Sequence, residues 1–144
     1  MKYVLLVSHG EFATGLHKAV SMFSGEDRTD ILSTCLKNGM GADEFAENVK
    51  ELISDIGPED EIILFADIVG GSPLTTSANV IAQNGLIDRT TMIGGMNLPL
   101  VLSTVIAKDM SEDLNAELQD TIIPESKEAI RPFFVEVEEE ADEI

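Results

Sequence analysis

The sequence has little positive charge, one cysteine and no tryptophan. Nine Lys and Arg residues stand against 27 Asp and Glu residues in a chain of 144, which sets the formal charge at −18. This balance argues strongly against a nucleic-acid partner, because a phosphate backbone is neutralised by Lys and Arg. It favours a protein partner with a basic surface, since complementary fields speed encounter. The lone Cys35 excludes an intrachain disulfide and a cysteine-rich metal site, and its place in an apolar run predicts burial.

Long apolar stretches are also missing. No run approaches the roughly 20 apolar residues that a membrane-spanning helix needs. The N-terminus lacks a signal-peptide pattern, because Lys2 is followed by a short apolar run and then by His9 and Glu11. With 44% hydrophobic and 25% charged residues, we expect a single domain over residues 1–144, located in the cytoplasm. An acidic tail is expected from about residue 136.

Apolar runs alternate with amphipathic helical patterns along most of the chain. This alternation is typical of α/β proteins whose parallel sheet is covered by crossover helices on both faces. We predict three layers, with four parallel strands in the common order 2-1-3-4 and a C-terminal edge strand after Pro132. The strands are expected at residues 3–7, 31–36, 61–67, 90–94 and 133–137.

Helices are expected where apolar residues recur every three or four positions. The second helix is predicted to run to Ile56. Ser72 and Asn97 each precede a helix with a proline in its first turn, so we predict that both are N-caps. A fifth, more polar helix is expected from Ser111, interrupted at Pro124.

The two central strands of such a sheet end in a histidine and an aspartate. In an open parallel sheet, ligands bind at the carboxyl ends of the strands where the strand order reverses, which here lies between the first and third strands. Those strands end in His9 and Asp67. A carboxylate that accepts a hydrogen bond from one ring nitrogen orients the other nitrogen outward and stabilises a cationic ring. We therefore predict His9 as the reactive residue, and we expect the other histidine, His17, at the surface of the first helix.

A phosphoryl group on His9 would need anion stabilisation beyond this pair. At an effective dielectric constant near 20, opposite charges ~4 Å apart gain ~4 kcal/mol, while like charges ~6 Å apart lose slightly under ~3 kcal/mol. The Gly70-Gly71-Ser72 loop lets backbone amides approach an anion at the start of the third helix. Further donors are expected from Ser8, from the helix opening at Gly10 and from Asn97.

Three segments of the chain resemble the enzyme IIA component of the mannose-type sugar phosphotransferase system. They are Leu-Leu-Val-Ser-His-Gly at 5–10, Phe-Ala-Asp-Ile-Val-Gly-Gly-Ser-Pro at 65–73 and Gly-Gly-Met-Asn-Leu-Pro at 94–99. The resemblance implies a phosphotransferase component that accepts a phosphoryl group from phospho-HPr on a histidine and passes it to the cognate IIB protein. IIB then phosphorylates a sugar entering through the membrane permease.

Carried over by position, the resemblance makes His9 the phosphorylated residue and Asp67 its orienting carboxylate. Gly70, Gly71 and Ser72 line the phosphoryl pocket, with Asn97 nearby.

The resemblance also implies a homodimer whose edge strand is exchanged or packed between subunits. No cofactor or metal is implied, and contact with the membrane would come only through the permease complex. Many relatives continue into a IIB domain, whereas this chain stops at Ile144, so a free-standing IIA subunit is expected. The similarity weakens after Met110, and nothing in the sequence identifies the sugar.

Three other functions compete with this interpretation. The phosphocarrier subunit that serves dihydroxyacetone kinase resembles the same fold and histidine, but its second motif usually lacks the Gly-Gly-Ser-Pro run at 70–73. A histidine phosphatase or phosphomutase would have a phosphate-binding arginine where Ser8 stands, and no second histidine follows His17. In a binding module that reuses the fold, the glycine loop would hold an anion while His9 stayed unmodified.

Overall fold

Four parallel strands form one sheet in the order β2-β1-β3-β4, in a computed structural model that describes residues 1–137. All three pairings are parallel, and Val4 lies opposite both Ile31 and Ile63. The predicted order is confirmed. The strands are β1 (Lys2–His9), β2 (Ile31–Leu36), β3 (Glu61–Ala66) and β4 (Thr90–Gly94).

Six helices connect and cover the strands within residues 1–137. They are α1 (Phe12–Ser24), α2 (Ala42–Leu52), α3 (Ser72–Gln83), α4 (Leu98–Ala107), α5 (Leu114–Glu117) and α6 (Ile123–Glu128). A 3₁₀ turn at Ile87–Arg89 leads into β4, and a π-helical turn at Leu118–Ile122 joins α5 to α6. None of these helices has the length and apolar character that crossing a bilayer requires.

The unbroken apolar centres of β1 and β3 are explained by burial on both faces of the sheet. Val4 and Leu6 point into a core that also receives side chains from α1, α4 and the helices after it. Leu5 and Val7, their neighbours in sequence, point into a second core against α2 and α3. Since successive strand side chains face opposite sides, a central parallel strand must be apolar at every position. The predicted three-layer arrangement is confirmed.

The second helix is shorter than predicted, because α2 ends at Leu52. Ile53 and Ile56 are nevertheless buried, and they reach the core from the turn that follows the helix. The apolar periodicity therefore continues past the point where the helical hydrogen bonds stop, which is why the sequence pattern overestimates the length.

The C-terminal helical region begins at Leu114 and not at Ser111. Asp113 is its N-cap, and its carboxylate accepts from the Ala116 N–H at 3.1 Å. The expected interruption or shift at Pro124 takes the form of a change of helix type, since α6 begins at Ile123, one residue before the proline, directly after the π-helical turn. A proline cannot donate the helical hydrogen bond and its ring crowds the preceding turn, so the widened turn accommodates it.

The predicted edge strand at residues 133–137 is wrong for this chain, because residues 130–137 have no regular secondary structure and lie exposed. A strand needs the free edge of a sheet to complete its hydrogen bonds, and this segment pairs with none of the four strands. Most of the predicted acidic tail, residues 138–144, lies outside the described residues.

Ion pairs hold the amino end of the sheet. Asp30, just before β2, accepts from Arg28 Nε at 2.9 Å and Nη2 at 2.7 Å, and it lies 2.5 Å from Lys108 Nζ. Lys108 is only 2% exposed. The hydrogen bond from Arg28 holds the pKa of Asp30 far below its usual range despite the opposing effect of burial, and Lys108 adds to the lowering. We call Arg28, Asp30 and Lys108 the amino-end clamp.

Candidate active site

His9 and Asp67 meet at the carboxyl end of the two central strands. The His9 ring Nδ1 lies 2.8 Å from Asp67 Oδ2, and the His9 backbone N–H donates to the same oxygen at 3.1 Å. The other carboxylate oxygen accepts from the Ile68 N–H at 3.0 Å. Both oxygens of Asp67 are thus held in place by donors, two of them from the backbone. The pair that the strand order predicts is present.

The protonation pattern follows from these contacts. Burial raises the pKa of Asp67, but hydrogen bonds from the His9 ring, the His9 backbone and Ile68 outweigh it, and the net shift is downward. An ionised carboxylate only accepts, so the proton of the neutral ring is on Nδ1 and the lone pair is on Nε2. No residue among 1–137 is hydrogen-bonded to Nε2, and the His9 side chain is 46% exposed. The ring can therefore take a substituent at Nε2.

Two glycines, Gly71 and Gly94, leave space for the His9 ring and for the loop that follows Asp67. A Cβ at Gly71 would lie 2.7 Å from His9 Cε1 and 3.1 Å from Ile68 Cγ1. At Gly94, a Cβ would lie 2.6 Å from Val69 Cγ2 and 2.8 Å from the Val69 backbone. Gly71 is thus needed for space beside the His9 ring, and Gly94 keeps the loop after Asp67 close to β4. This role of Gly94 was not predicted from the sequence, although the Gly-Gly pair at the end of β4 is a signal for close approach of another backbone.

The start of α3, beside His9, has no side-chain cap. Gly71 is the N-cap in an extended conformation, whereas Ser72 and Pro73 are the first two helical residues. The prediction that Ser72 is the N-cap is therefore wrong; the physical reason is that the capping position lies against the His9 ring, where a side chain would collide. The first N–H groups of a helix have no partner within it, so the amides of Ser72 and Leu74 are free to donate to a ligand. Gly70 and Ser72 are exposed, so this end of the helix is open to solvent.

The neighbouring helices α1 and α4 begin differently, because side chains occupy their first amides. The Ser8 hydroxyl accepts from the Ala13 N–H at 2.7 Å, and Asn97 Oδ1 accepts from the Leu100 N–H at 2.9 Å. Asn97 is the N-cap of α4 as predicted, and its Nδ2 donates to the Ser126 carbonyl at 3.3 Å. The Ser8 and Asn97 side chains each bond one amide of their helix, whereas no side chain bonds an amide of the first turn of α3.

Two of the predicted phosphoryl donors are bonded within the protein instead. Ser8 is fully buried, and its hydroxyl donates to the His9 carbonyl at 3.0 Å. The Gly10 N–H donates to the Leu36 carbonyl at 2.9 Å, and its φ of 62° makes the turn from β1 into α1. The expectation that the Ser8 hydroxyl faces the pocket is wrong, because the turn between strand and helix uses it. The Gly10 N–H is bonded in the same turn, and donation from the other amides of the helix that opens at Gly10 stays a prediction.

Two further predictions concern Cys35 and His17. Cys35 is buried in β2, as predicted. His17, expected at the surface, is half-buried, and its Nδ1 lies 2.7 Å from Ser33 Oγ on the edge strand β2. Burial lowers the pKa of His17. Its ring therefore packs against the sheet edge, away from the crevice between β1 and β3.

Apolar side chains surround His9 on the exposed surface. Phe12 begins α1 directly after the turn, and Ile68 and Val69 follow Asp67, with Val69 73% exposed. Two of the three arginines are bonded elsewhere: Arg28 belongs to the amino-end clamp, and Arg89 donates to the carbonyls of Glu59 and Asp60 before β3. Among residues 1–137, no arginine is hydrogen-bonded to His9 or Asp67, whereas a histidine phosphatase would depend on an arginine that binds phosphate.

A histidine whose Nδ1 is held by a carboxylate, at the switch point of a parallel sheet, is able to bind a transferred group at its Nε2 nitrogen. The family model EIIA-man, described as PTS system fructose IIA component, matches residues 3–122, and the chain belongs to this family. Membership makes it a phosphocarrier component of a sugar phosphotransferase system, with phosphotransferase activity in that general sense. The resemblance seen in the sequence is confirmed, and neither alternative enzyme is favoured.

Individual relatives agree with this assignment. The PTS system fructose-specific EIIA component of Bacillus subtilis (strain 168) is 28% identical over 124 residues, which cover 82% of each chain. The PTS IIA protein associated with the fucose utilization operon of Streptococcus pneumoniae is 25% identical, with a TM-score of 0.73 over 91% of this chain and 92% of that one. The phosphotransferase system component EIIA from Streptococcus agalactiae has a TM-score of 0.75 at 22% identity, covering 92% and 97% of the two chains, and shows the same fold.

Proposed function

We propose that His9 accepts a phosphoryl group from phospho-HPr at Nε2 and passes it to the cognate IIB protein, which uses it to phosphorylate an incoming sugar. The observation that carries this proposal is the 2.8 Å contact between Nδ1 and Asp67, which leaves the Nε2 lone pair exposed at the carboxyl edge of the sheet. The family assignment supports it, because a phosphocarrier needs one nucleophile that two partners can reach in turn.

The transfer is balanced without any further reactant. The Nε2 lone pair forms a bond to phosphorus as the bond between phosphorus and the donor breaks, and that electron pair returns to the donor. The ring keeps its Nδ1 proton and becomes cationic, and the Asp67 carboxylate stabilises this charge through the hydrogen bond it already makes. Transfer to IIB repeats the step with His9 as the leaving group, and the ring returns to its neutral form.

We propose that the start of α3 binds the transferred phosphoryl oxygens. The amides of Ser72 and Leu74 are the donors left open by the helix, and the backbone of Gly70 and Gly71 brings the loop close to His9. The exposed Ser72 hydroxyl is a further donor. These groups supply the stabilisation that offsets repulsion between the phosphoryl group and Asp67.

The surface around His9 suits docking by another protein. Phe12, Ile68 and Val69 form an exposed apolar rim, and such side chains stabilise interfaces when a partner covers them. The chain's charge of −18 favours a partner with a basic surface and speeds its approach. We expect both HPr and IIB to use this rim, in the cytoplasm, with IIB linking the chain to the permease.

We also propose a homodimer that uses the C-terminal segment. Phe133, Phe134, Val135 and Val137 are all more than 70% exposed, while β4 leaves one edge of the sheet unpaired within residues 1–137. Both features are satisfied if the segment pairs with the edge of a second copy. Sedimentation equilibrium should give a dimer that dissociates when Phe133 and Phe134 are changed to Ser, whereas Phe23→Ser, on exposed α1 surface, should leave it intact.

A labelling experiment tests the carrier function. Incubation with phosphoenolpyruvate, enzyme I and HPr should place a single acid-labile phosphoryl group on the chain, which His9→Ala abolishes and His17→Ala retains. Fructose is the first sugar to test in a complete system, because the Bacillus subtilis relative is fructose-specific. Absence of label, or label that survives His9→Ala, would contradict the proposal, and release of phosphate without HPr would indicate a phosphatase.

A further inference from the structure

Ser8 is the last buried residue of β1 and lies directly before His9. Its side chain is fully enclosed, with 0% exposure, so it touches neither solvent nor a bound partner. A fully buried serine carries a cost unless its hydroxyl is well bonded. The bonds of this hydroxyl therefore indicate what the residue does.

The hydroxyl of Ser8 is bonded on two sides. A hydroxyl has one proton to donate and two lone pairs with which to accept. It donates to the His9 carbonyl at 3.0 Å, and it accepts from the Ala13 N–H at 2.7 Å. The Cys35 Sγ, whose S–H faces Thr14 Oγ1 at 3.7 Å, also lies 3.6 Å from the Ser8 hydroxyl. One atom thus connects the end of β1 to the first turn of α1 and to β2.

These bonds fix the backbone of His9 from both sides. Its carbonyl is held by Ser8, and its N–H is held by Asp67 Oδ2, the oxygen that also accepts from the ring Nδ1. Because a single carboxylate oxygen serves both the backbone and the ring, the ring meets that oxygen only when the backbone is correctly placed. The turn that follows begins at Gly10, whose positive φ offers little stiffness of its own.

We propose that Ser8 is a positioning residue for phosphoryl transfer: through the His9 carbonyl it holds the ring against Asp67 and keeps the Nε2 lone pair directed outward. The proposal rests on His9 being the phosphorylated residue. It replaces the expectation that Ser8 binds the phosphoryl group directly. The role of the residue lies in the geometry of the neighbouring histidine, in the resting protein as well as during transfer.

A matched pair of variants isolates the hydroxyl from packing. Ser8→Thr and Ser8→Val have nearly the same volume and both suit a strand, and only Thr keeps the hydroxyl. Ser8→Ala removes it without adding bulk. Ser126→Ala serves as a control, because Ser126 is another buried serine, on α6, whose hydroxyl donates to the Ile122 carbonyl at 2.6 Å and makes no hydrogen bond to His9 or Asp67.

Two readouts separate positioning from general stability. Nitrogen-15 NMR of the His9 ring, at a pH where the imidazole is neutral, reports the fraction with the proton on Nδ1. We expect one dominant Nδ1–H tautomer in the wild type, Ser8→Thr and Ser126→Ala, and a mixture in Ser8→Val and Ser8→Ala. Single-turnover transfer from saturating phospho-HPr should be slower by about ten- to a hundredfold in Val and Ala, with Thr restoring most of the rate.

Each outcome decides something. A folded Val or Ala variant with an unchanged tautomer and transfer rate would overturn the positioning role, as would Thr behaving like Val. If Ser126→Ala slows transfer equally, the effect is one of stability and the proposal fails. If the wild type accepts no phosphoryl group on His9, the carrier function fails, while the NMR comparison still tests whether Ser8 orients the ring.

Discussion

Replacing Gly71 with alanine should impair phosphoryl transfer while leaving the fold intact. Gly71 has φ −96° and ψ 161°, an extended conformation that alanine adopts without strain. The added Cβ would lie 2.7 Å from His9 Cε1, whereas ordinary contact begins at 3.4 Å, so one of the two atoms must move by 3.4 − 2.7 = 0.7 Å. The Ile68 side chain blocks another direction, with Cγ1 at 3.1 Å and Cδ1 at 3.2 Å.

The ring is the group that should move. If the whole displacement falls along the bond to Asp67, the distance from Nδ1 to Oδ2 rises from 2.8 Å to 2.8 + 0.7 = 3.5 Å, at the limit of a hydrogen bond. A misplacement of this size costs roughly a hundredfold in the rate of an aligned reaction. The free energy of unfolding should change little. A Gly to Ala change at a compatible backbone position lowers the entropy of the unfolded chain, which stabilises the folded state by about 0.4–1 kcal/mol and offsets part of the cost of local crowding.

Rapid-quench transfer from labelled phospho-HPr would measure the loss, with denaturant unfolding to check the fold. Gly70→Ala is the control, because no atom lies within 4 Å of a Cβ placed there and its φ is not positive. A Gly71→Ala protein that transfers at the wild-type rate would refute the idea that the His9 ring rests on bare backbone. An equal loss in both variants would indicate that backbone freedom of the loop matters and that steric room does not.

Three further predictions concern the carboxylates and the second glycine. Asp67→Ala should slow transfer by about 10²- to 10⁴-fold while circular dichroism shows the native fold; an unfolded variant would instead make Asp67 a structural residue. Asp30 has a depressed pKa in the folded chain, so its stabilisation is present above its unfolded pKa of about 3.9 and is lost as pH falls through the lower folded value. Urea unfolding between neutral and strongly acidic pH should show that loss in the wild type and a flatter profile in Asp30→Asn. Gly94→Ala should displace the Val69 loop and lower both the melting temperature and the transfer rate, measured by calorimetry and the same transfer assay.

The sheet and its central pair could be predicted because strong local signals agree with a topological rule. The apolar runs of β1 and β3 have one interpretation in an alternating α/β pattern, and the strand order then brings His9 and Asp67 together. Neither residue is exceptional alone. Their significance comes from occupying the ends of two strands that a common topology makes adjacent.

What could not be predicted depends on atoms that are distant in sequence. The Ser8 hydroxyl was expected to face an anion, but the first turn of α1 competes for it, and the Ala13 N–H donates to it at 2.7 Å. Ser72 has the composition of an N-cap, yet the His9 ring from another strand leaves room only for Gly71 there. His17 was expected in solvent, and Ser33 on β2 provides the partner that draws it inward. Such contacts are determined by packing and not by spacing along the chain.

The C-terminal segment differs for another reason. Its aromatic and β-branched residues after Pro132 are typical of an edge strand, but a strand exists only where a second edge offers hydrogen bonds. Residues 133–137 pair with none of the four strands of their own chain. Composition alone therefore does not make a strand, because hydrogen bonds to a neighbouring strand are also required.

The amino-end clamp places the shortest ion pairs of the described chain at the end of the sheet opposite His9. The charged groups that stabilise the fold are therefore separated from those of the candidate site. Mutations that change the surface near His9 to suit a new partner can accumulate without weakening Arg28, Asp30 and Lys108. Proteins with such a reserve tolerate destabilising but useful changes elsewhere. The clamp gives this small carrier room to evolve new partner specificities while its fold is maintained.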